Sequence, residues 1–361
     1  MDLATRDIPK EVIRHLEAIE PEQSWTQQGV VVQTVRDIER SFDSDRDLAS
    51  KSLDIILSLT DGVCANTQKT LDLLTSWQDG SVQFSTTSMM AYVIEKFDFD
   101  EAAHKIHINA LLIAAILADL RNDLPYHNTL HYRKVLLHTV RLIAVHNHLF
   151  KGSDKRTLDH DAMTKLMISA CIHDLGHAGT GNIIERKYQM AMTEQRSFDL
   201  AYPYLAATGL SEDILADIRI MLITTDVSPL GDPISPMQQA RAAYELHFGM
   251  NKDDDDEPLY SQPLEILKED ERLCLLCVLL HEADIMNSAG VDYEITRKES
   301  VAINQEMGES LALPEDTLLF LNKICGDGFL SDAARYLADG NLIRIKARVM
   351  DDYKNGNNSY F

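Results

Sequence analysis

CIHDLGHAGTGN, residues 171–182, packs a His173-Asp174 pair, a second histidine at His177 and glycines at 176, 179 and 181 into a single short stretch. The residues before the pair, LMISACI at 166–172, are almost wholly apolar, so His173 and Asp174 leave a core helix and not a solvated face. A buried imidazole and a buried carboxylate need a partner or a cation, because their desolvation is otherwise uncompensated. Neighbouring residues on a helix point about 100° apart, so the pair can share one ion only at a helix end or with help from other elements. The glycines that follow suit a chain that turns tightly around a site.

That help is visible on both sides. Upstream, residues 126–131 read YHNTLH, and downstream, residues 281–287 read HEADIMN. Each is a short polar island in an apolar helical context, and each offers imidazole nitrogen or carboxylate oxygen, the donors that hard and borderline divalent cations take. An HD dipeptide alone is weak, and a capping aspartate would explain it. Three islands in order make a shared metal site over His127, His131, His173, Asp174 and Asp284 the better reading. His281, one helical turn before Asp284, could line the same site. His104, His107, His138, His146, His148 and His160 sit on helix faces or in loops and read as structural or solvated, and His247 is left open.

The rest of the chain reads as a helical frame. Apolar residues recur at three- and four-residue spacing, prolines are few and alternating β-branched runs are rare. Leu48, Leu53, Ile56 and Leu57 share one face of a helix over 45–59. The pattern predicts further helices over 65–77, 87–97, 101–120, 126–148, 158–173, 185–205, 212–225, 238–250, 265–289, 293–308, 316–324 and 331–339. Polar or proline-rich connections fall at 78–81, 151–160 and 228–236, and a frayed tail at 351–361. The acidic run NKDDDDE at 251–257 lacks the alternating ligands and central glycine of a calcium loop and reads as a solvated loop. The fold expected is all-α: a compact multi-helix domain over 81–361, preceded by an N-terminal helical accessory region over 1–80 that carries no chemical constellation.

Composition bounds the partners. With 57 acidic and 34 basic side chains in 361 residues, the formal net charge of −23 repels phosphate backbones and anionic lipid, so nucleic acid and membrane surfaces are not the expected partners. A small phosphate ester stays open, because bound cations invert the local field. Five cysteines, an odd number in apolar contexts, point to reduced thiols and a cytoplasmic setting. Cys274 and Cys277 form a CxxC inside an apolar helix and read as core. The opening MDLATRDIPKEV is too polar for a signal peptide, and no apolar run nears the roughly 20 residues of a spanning helix.

The three islands carry a family resemblance. YHNxxH, then HDxxHxGxxN, then an ADxxN-type motif resemble the signature of the class I cyclic nucleotide phosphodiesterases, a branch of the HD-domain metal phosphohydrolases. Thr225-Asp226-Val227-Ser228 is similar to that family's TDxS segment. The resemblance covers about residues 85–345. It implies an all-helical hydrolase that opens a 3′,5′-cyclic nucleotide, cAMP or cGMP, to the 5′-monophosphate with two divalent metal ions, zinc and magnesium (or manganese). It implies His131, His173, Asp174 and Asp284 as metal ligands, with Asp174 bridging to the second ion and His177 holding a water of that ion. His127 would protonate the departing 3′ oxygen. Tyr126, Asn287 and Phe329 would meet the substrate, Asn287 at the purine edge and Phe329 stacked on the base. The chemistry is consistent: two cations neutralise a resistant phosphodiester and turn a bridging water into hydroxide, and histidine suits the acid role.

The sequence also departs from the family. Position 176 is Gly where an acidic residue is usual. The glutamine that grips the purine is absent: aligning Gly328-Phe329 puts Gly326 in its place, with Asn322 the nearest amide. The carboxylate that supports the acid has no clear position, with Glu194 and Asp199 the candidates. Two alternatives stay open, an HD-type phosphohydrolase for another nucleotide or phosphoester, and a non-catalytic relative that binds a nucleotide or a partner helix. A homodimer is also left open.

Overall fold

The computed structural model describes residues 8, 10–19, 28–59, 61–153, 156–185, 187–249, 260–309 and 311–356. The all-α expectation holds. Among the described residues there are fourteen α-helices and one hairpin of two-residue strands. Among the described residues no single helix is long and apolar enough to cross a membrane. The chain gathers into two compact units, one formed by Met1–Asp123, Asn128–Gly176 and Arg196–Ile218, the other by Leu124–His127, His177–Gln195 and Arg219–Phe361.

The first unit holds α1 (Lys10–Ala18), α2 (Gln28–Leu57), α3 (Gly62–Asp79), α4 (Thr86–Lys96), α5 (Lys105–Ala118), α6 (Thr129–Leu149) and α7 (His160–Ile172). Its centre is α5, KIHINALLIAAILA, buried continuously from Ile108 to Ala118. Helix α2 is tied to α4 by side-chain hydrogen bonds. On α2, Asp54 accepts hydrogen bonds from the Tyr92 hydroxyl (2.6 Å) and Lys96 Nζ (2.7 Å) of α4. Asp119, just past α5, accepts from the first backbone N–H groups of α4, those of Thr86 and Thr87 at 2.8 and 2.9 Å, where a helix N-terminus favours an anion. Helices α6 and α7 are started by their own caps. Asn128 accepts from the N–H groups of Leu130 and His131, and Asp159 accepts from Ala162 N–H. Helix α8 (Met192–Ala206) contributes its later turns to this unit, and α9 (Glu212–Ile223) its earlier ones.

The second unit holds α10 (Pro236–Phe248), α11 (Glu271–Ala289), α12 (Tyr293–Glu306), α13 (Pro314–Cys325) and α14 (Asp332–Lys354). Helix α11 is its core element, capped by Asp270 and buried on nearly every side, as its sequence LCLLCVLLHEA requires. Two other groups fix the start of α14. Ser331 caps it, and the Glu282 carboxylate of α11 accepts from Leu330 N–H (2.5 Å), Ser331 N–H (3.1 Å) and the Ser331 hydroxyl.

Several boundaries differ from those expected. Residues 185 and 187–190 are not helical: Ile183–Ile184 pairs with Lys187–Tyr188 in the hairpin, and α8 begins only at Met192. Ile183 and Ile184 stand in solvent, so a helix here would have no face to bury. Residues 101–104 form a turn instead of the first turn of α5, because the Asp100 carboxylate takes the N–H groups of Ala102 and Ala103. The long helix expected over 265–289 is divided into a 3-10 turn, Leu264–Lys268, and α11. Helix α14 runs on to Lys354, through the start of the supposed tail. The acidic run at 251–257 and the tail beyond 356 lie outside the described residues.

Candidate metal centre and acid–base pair

In the first unit, α6 delivers His131 one turn after its cap, and α7 delivers His173 at its C-terminal end, with Asp174 next in the chain. All three are buried. Their donor atoms converge: His131 Nε2 lies 3.1 Å from His173 Nε2 and 3.3 Å from Asp174 Oδ2, and His173 Nε2 lies 2.9 Å from the same oxygen. Around a cation with donor bonds of 2.0–2.1 Å, neighbouring ligand atoms stand about 3.0–3.4 Å apart, so the three separations suit a shared ion. The orientation suits it too. His173 Nδ1 lies 3.1 Å from the Ala170 carbonyl, which places its proton on Nδ1 and turns the Nε2 lone pair inward. The Tyr132 hydroxyl donates to the Asp174 carbonyl at 2.6 Å and fixes the backbone there. These three residues can hold a metal ion.

In the second unit, His127 is gripped by a residue the sequence reading missed. The Glu306 carboxylate accepts from the backbone N–H of Tyr126 (2.9 Å) and of His127 (3.0 Å) through one oxygen, and lies 2.5 Å from His127 Nδ1 through the other. Glu306, and neither Glu194 nor Asp199, is therefore the carboxylate that engages His127. Glu194 is engaged by the Asn182 side-chain amide at 2.9 Å, and Asp199 is exposed on α8. Burial alone would raise the Glu306 pKa. The hydrogen bond from His127, its charge and the two backbone donors outweigh burial and bring the pKa down to about 2. One signal could have pointed to Glu306: it is the last residue of α12, where the helix dipole disfavours an anion.

His177 completes this group. Its ring lies over His127 with centroids 3.8 Å apart, and its Nδ1, which accepts the Gly179 N–H, is 3.5 Å from Glu306 Oε1. His127, His177 and Glu306 also present donor atoms to one another closely enough for an ion. Gly179 has a positive φ of 77°, and a Cβ there would come within 3.3 Å of Leu124 and 3.5 Å of Glu306, so glycine is needed for the close approach. The Tyr126 ring stands edge-on to His127 at 4.7 Å.

Asp284 lies half-buried on α11, and Asn287 is buried one turn later. His281 is deeply buried, and neither ring nitrogen finds a hydrogen-bond partner among the described residues. Burial pushes its pKa down to about 4 against the opposing pull of Asp284, so it is a neutral imidazole. Asp226, in the TDxS segment, is structural. It accepts from Tyr188 Oη, Ala191 N–H and Ser228 N–H and so pins the hairpin. Asn182 is structural as well, accepting from Thr193 N–H and donating to Glu194. Phe329 is 2% exposed and lines a cavity of about 470 Å³ with Arg241, Gly326, Arg335 and Asp339.

No protein-family model matches the chain, and no curated protein matches it. Among solved structures, it is similar to the phosphodiesterase domain of Salpingoeca rosetta rhodopsin phosphodiesterase, at 19% identity and a TM-score of 0.48 over 75% of this chain and 90% of that one. It is similar to the phosphodiesterase domain of the RhoPDE fusion protein from the same choanoflagellate, at 20% identity and a TM-score of 0.47 over 75% and 92%. It is also similar to LmjPDEB1 in complex with IBMX, at 16% identity and a TM-score of 0.47 over 96% and 98%.

Proposed function

We propose that the chain is a metal-dependent phosphodiesterase that opens a 3′,5′-cyclic nucleotide to the nucleoside 5′-monophosphate. The observation that carries the reading is the convergence of His131, His173 and Asp174 on one point inside a buried site, from the motifs that resemble that family. His131, His173 and Asp174 would hold the first divalent cation, zinc, and Asp284 joins them on the strength of its motif. The resemblance would have Asp174 shared with a magnesium or manganese ion and would assign a water of that ion to His177. Cations bound there would neutralise the phosphodiester and supply a nucleophile at neutral pH.

The chain's own part is the proton. Glu306 accepts the hydrogen bond of the His127 Nδ1–H, so that in the imidazolium the Nε2–H is the one that gives its proton to the departing 3′ oxygen. An ionised Glu306 stabilises the imidazolium that makes this donation, as the buried carboxylate of a catalytic triad does for its histidine. Tyr126, Asn287 and Phe329 are the residues assigned to the nucleoside. Gly176 and Gly326, where the family carries an acid and an amide, favour a second reading in which the same machinery cleaves another phosphoester.

The test is product analysis. The purified protein is incubated with cAMP and with cGMP in the presence of Mg²⁺ or Mn²⁺, beside Asp174→Ala, and the products are separated by chromatography. Formation of AMP or GMP that disappears in the variant supports the reading. No conversion of either by a protein that still binds stoichiometric metal overturns it and directs the search to other phosphoesters.

A further inference from the structure

We infer that Arg241 is a specificity-determining residue and that the cavity at Phe329 takes guanine in preference to adenine. The inference rests on the proposal that this chain acts on a cyclic nucleotide with Phe329 against the base. The cavity, about 470 Å³, is bounded by α10, the loop at residues 326–330 and α14. Arg241 reaches it from α10. Its Nε donates to Glu245 Oε1 at 3.2 Å and its Nη1 to the Ile324 carbonyl at 3.1 Å. A guanidinium has five N–H donors, so three remain.

Gly326 is what leaves them open. Its φ is +55°, a conformation that side chains rarely adopt, and a Cβ there would stand 3.4 Å from Arg241 Nη2. Any longer side chain would grow into the guanidinium. At the position where an amide would grip the purine, the chain has no side chain, and an arginine from another helix lies over the vacated space. An amide can present either a donor or an acceptor, whereas a guanidinium only donates.

A donor-only fork reads two neighbouring acceptors. Guanine offers O6 and N7, while adenine offers N7 beside an N6 amino group that is itself a donor. The opposite edge of guanine carries N1–H and N2–H2, which need an acceptor; of the three carboxylates that line the cavity, Glu245 is engaged by Arg241, Asp327 is exposed, and Asp339 is fixed at the Phe329 backbone. Its Oδ1 takes the Phe329 N–H at 3.0 Å, and its carboxylate lies against Gly328, where a Cβ would approach within 3.1 Å. Adenine would set its N1 lone pair against that carboxylate, leaving two acceptors facing each other. Arg335 Nε donates to the Phe329 carbonyl at 2.7 Å and holds the backbone of the aromatic wall.

The experiment is calorimetric binding of 5′-GMP and 5′-AMP to the full chain in Mg²⁺, for the wild type, Arg241→Gln and Asp339→Asn, with thermal melts to confirm folding. The wild type should bind GMP about tenfold or more tightly than AMP, the discrimination expected of one bidentate contact. Arg241→Gln should bring the two affinities to within about threefold by weakening GMP alone. Equal affinities in the wild type, equal weakening of both ligands in Arg241→Gln, or no binding of either nucleotide overturns the inference. Hydrolysis separates its failure from that of the proposed reaction. Turnover of cAMP with none of cGMP would sink the guanine assignment and leave the phosphodiesterase reading. Preferred GMP binding without turnover of either cyclic nucleotide would do the reverse. If Asp339→Asn also narrows the GMP preference, the carboxylate is the second reader; if it leaves the preference unchanged, that half of the assignment is wrong.

Discussion

Glu306 is one residue on which the proton chemistry depends, and it has two separable effects. Its carboxylate binds two backbone N–H groups and the His127 ring, so Glu306→Gln keeps the shape but loses the charge that favours the imidazolium. Turnover by the variant should fall about 10²- to 10⁴-fold, the usual range for a general acid, with little change in KM. The same substitution should alter acid stability. The folded pKa, about 2, lies below the unfolded value, so the ionised carboxylate stabilises the fold above about pH 4.5, and this advantage fades as pH falls towards 2. Denaturant unfolding of the two proteins should therefore show a gap at pH 6 that shrinks below about pH 4.5 and closes only as the pH nears 2. A gap that persists at the lowest pH would mean that Glu306 acts by shape alone. His131, His173 and Asp174 were legible in the sequence because three donor residues interrupt apolar helices. Glu306 was not, since it sits at the end of an ordinary amphipathic helix and acquires meaning only when α12 brings it to His127.

At the scale of an element, α11 places two buried titratable groups side by side with opposite signs. His281 has a folded pKa of about 4, below its unfolded value near 6.5, so it costs stability as pH falls through that interval. Glu282 is pushed up to about 7 by burial, with the Ser331 and Leu330 hydrogen bonds opposing, so it costs stability as pH rises from about 4.5 to 7. Each amounts to about 3 kcal/mol across its interval. Between about pH 4.5 and 6.5 the two slopes oppose each other, and the contribution of α11 should be nearly flat. His281→Leu should expose the Glu282 slope, with stability falling as pH rises, and Glu282→Gln should expose the reverse. Parallel profiles for the two variants in denaturant titrations would refute this account. The helices themselves were largely readable. The starts expected at 158 and 331 fall within two residues of α7 and α14, which Asp159 and Ser331 cap, whereas α11 starts after its Asp270 cap, six residues later than the expected 265. The hairpin at 183–188 was not readable as such. Its residues suit a helix as well as a strand, and the deciding contact is Asp226, dozens of residues away, holding Tyr188 and Ala191.

At the scale of the whole molecule, the net charge of −23 and the buried donor cluster both attract cations, and the two attractions have different signatures. Surface charge gathers any cation, and at 0.15 M salt its reach shrinks to a screening length of about 8 Å. The cluster at His131, His173 and Asp174 is buried, so salt screens it far less. A cation bound only by the folded state stabilises by RT ln(1 + [L]/Kd), about 4 kcal/mol at a thousandfold excess over Kd. For a chain of this length that is a rise in Tm of about 5 °C. Zinc added to chelator-stripped protein in 0.15 M NaCl should produce such a shift in the wild type. In His131→Ala and Asp174→Ala the shift should be largely lost, while Glu306→Gln, whose carboxylate lies with His127, should keep it. Below about pH 6 the shift should weaken, because protons compete for the imidazoles that hold the ion. An equal shift in all four proteins would place the bound zinc on the acidic surface. No shift in the wild type would remove the metal from the proposed mechanism, whatever the motifs resemble.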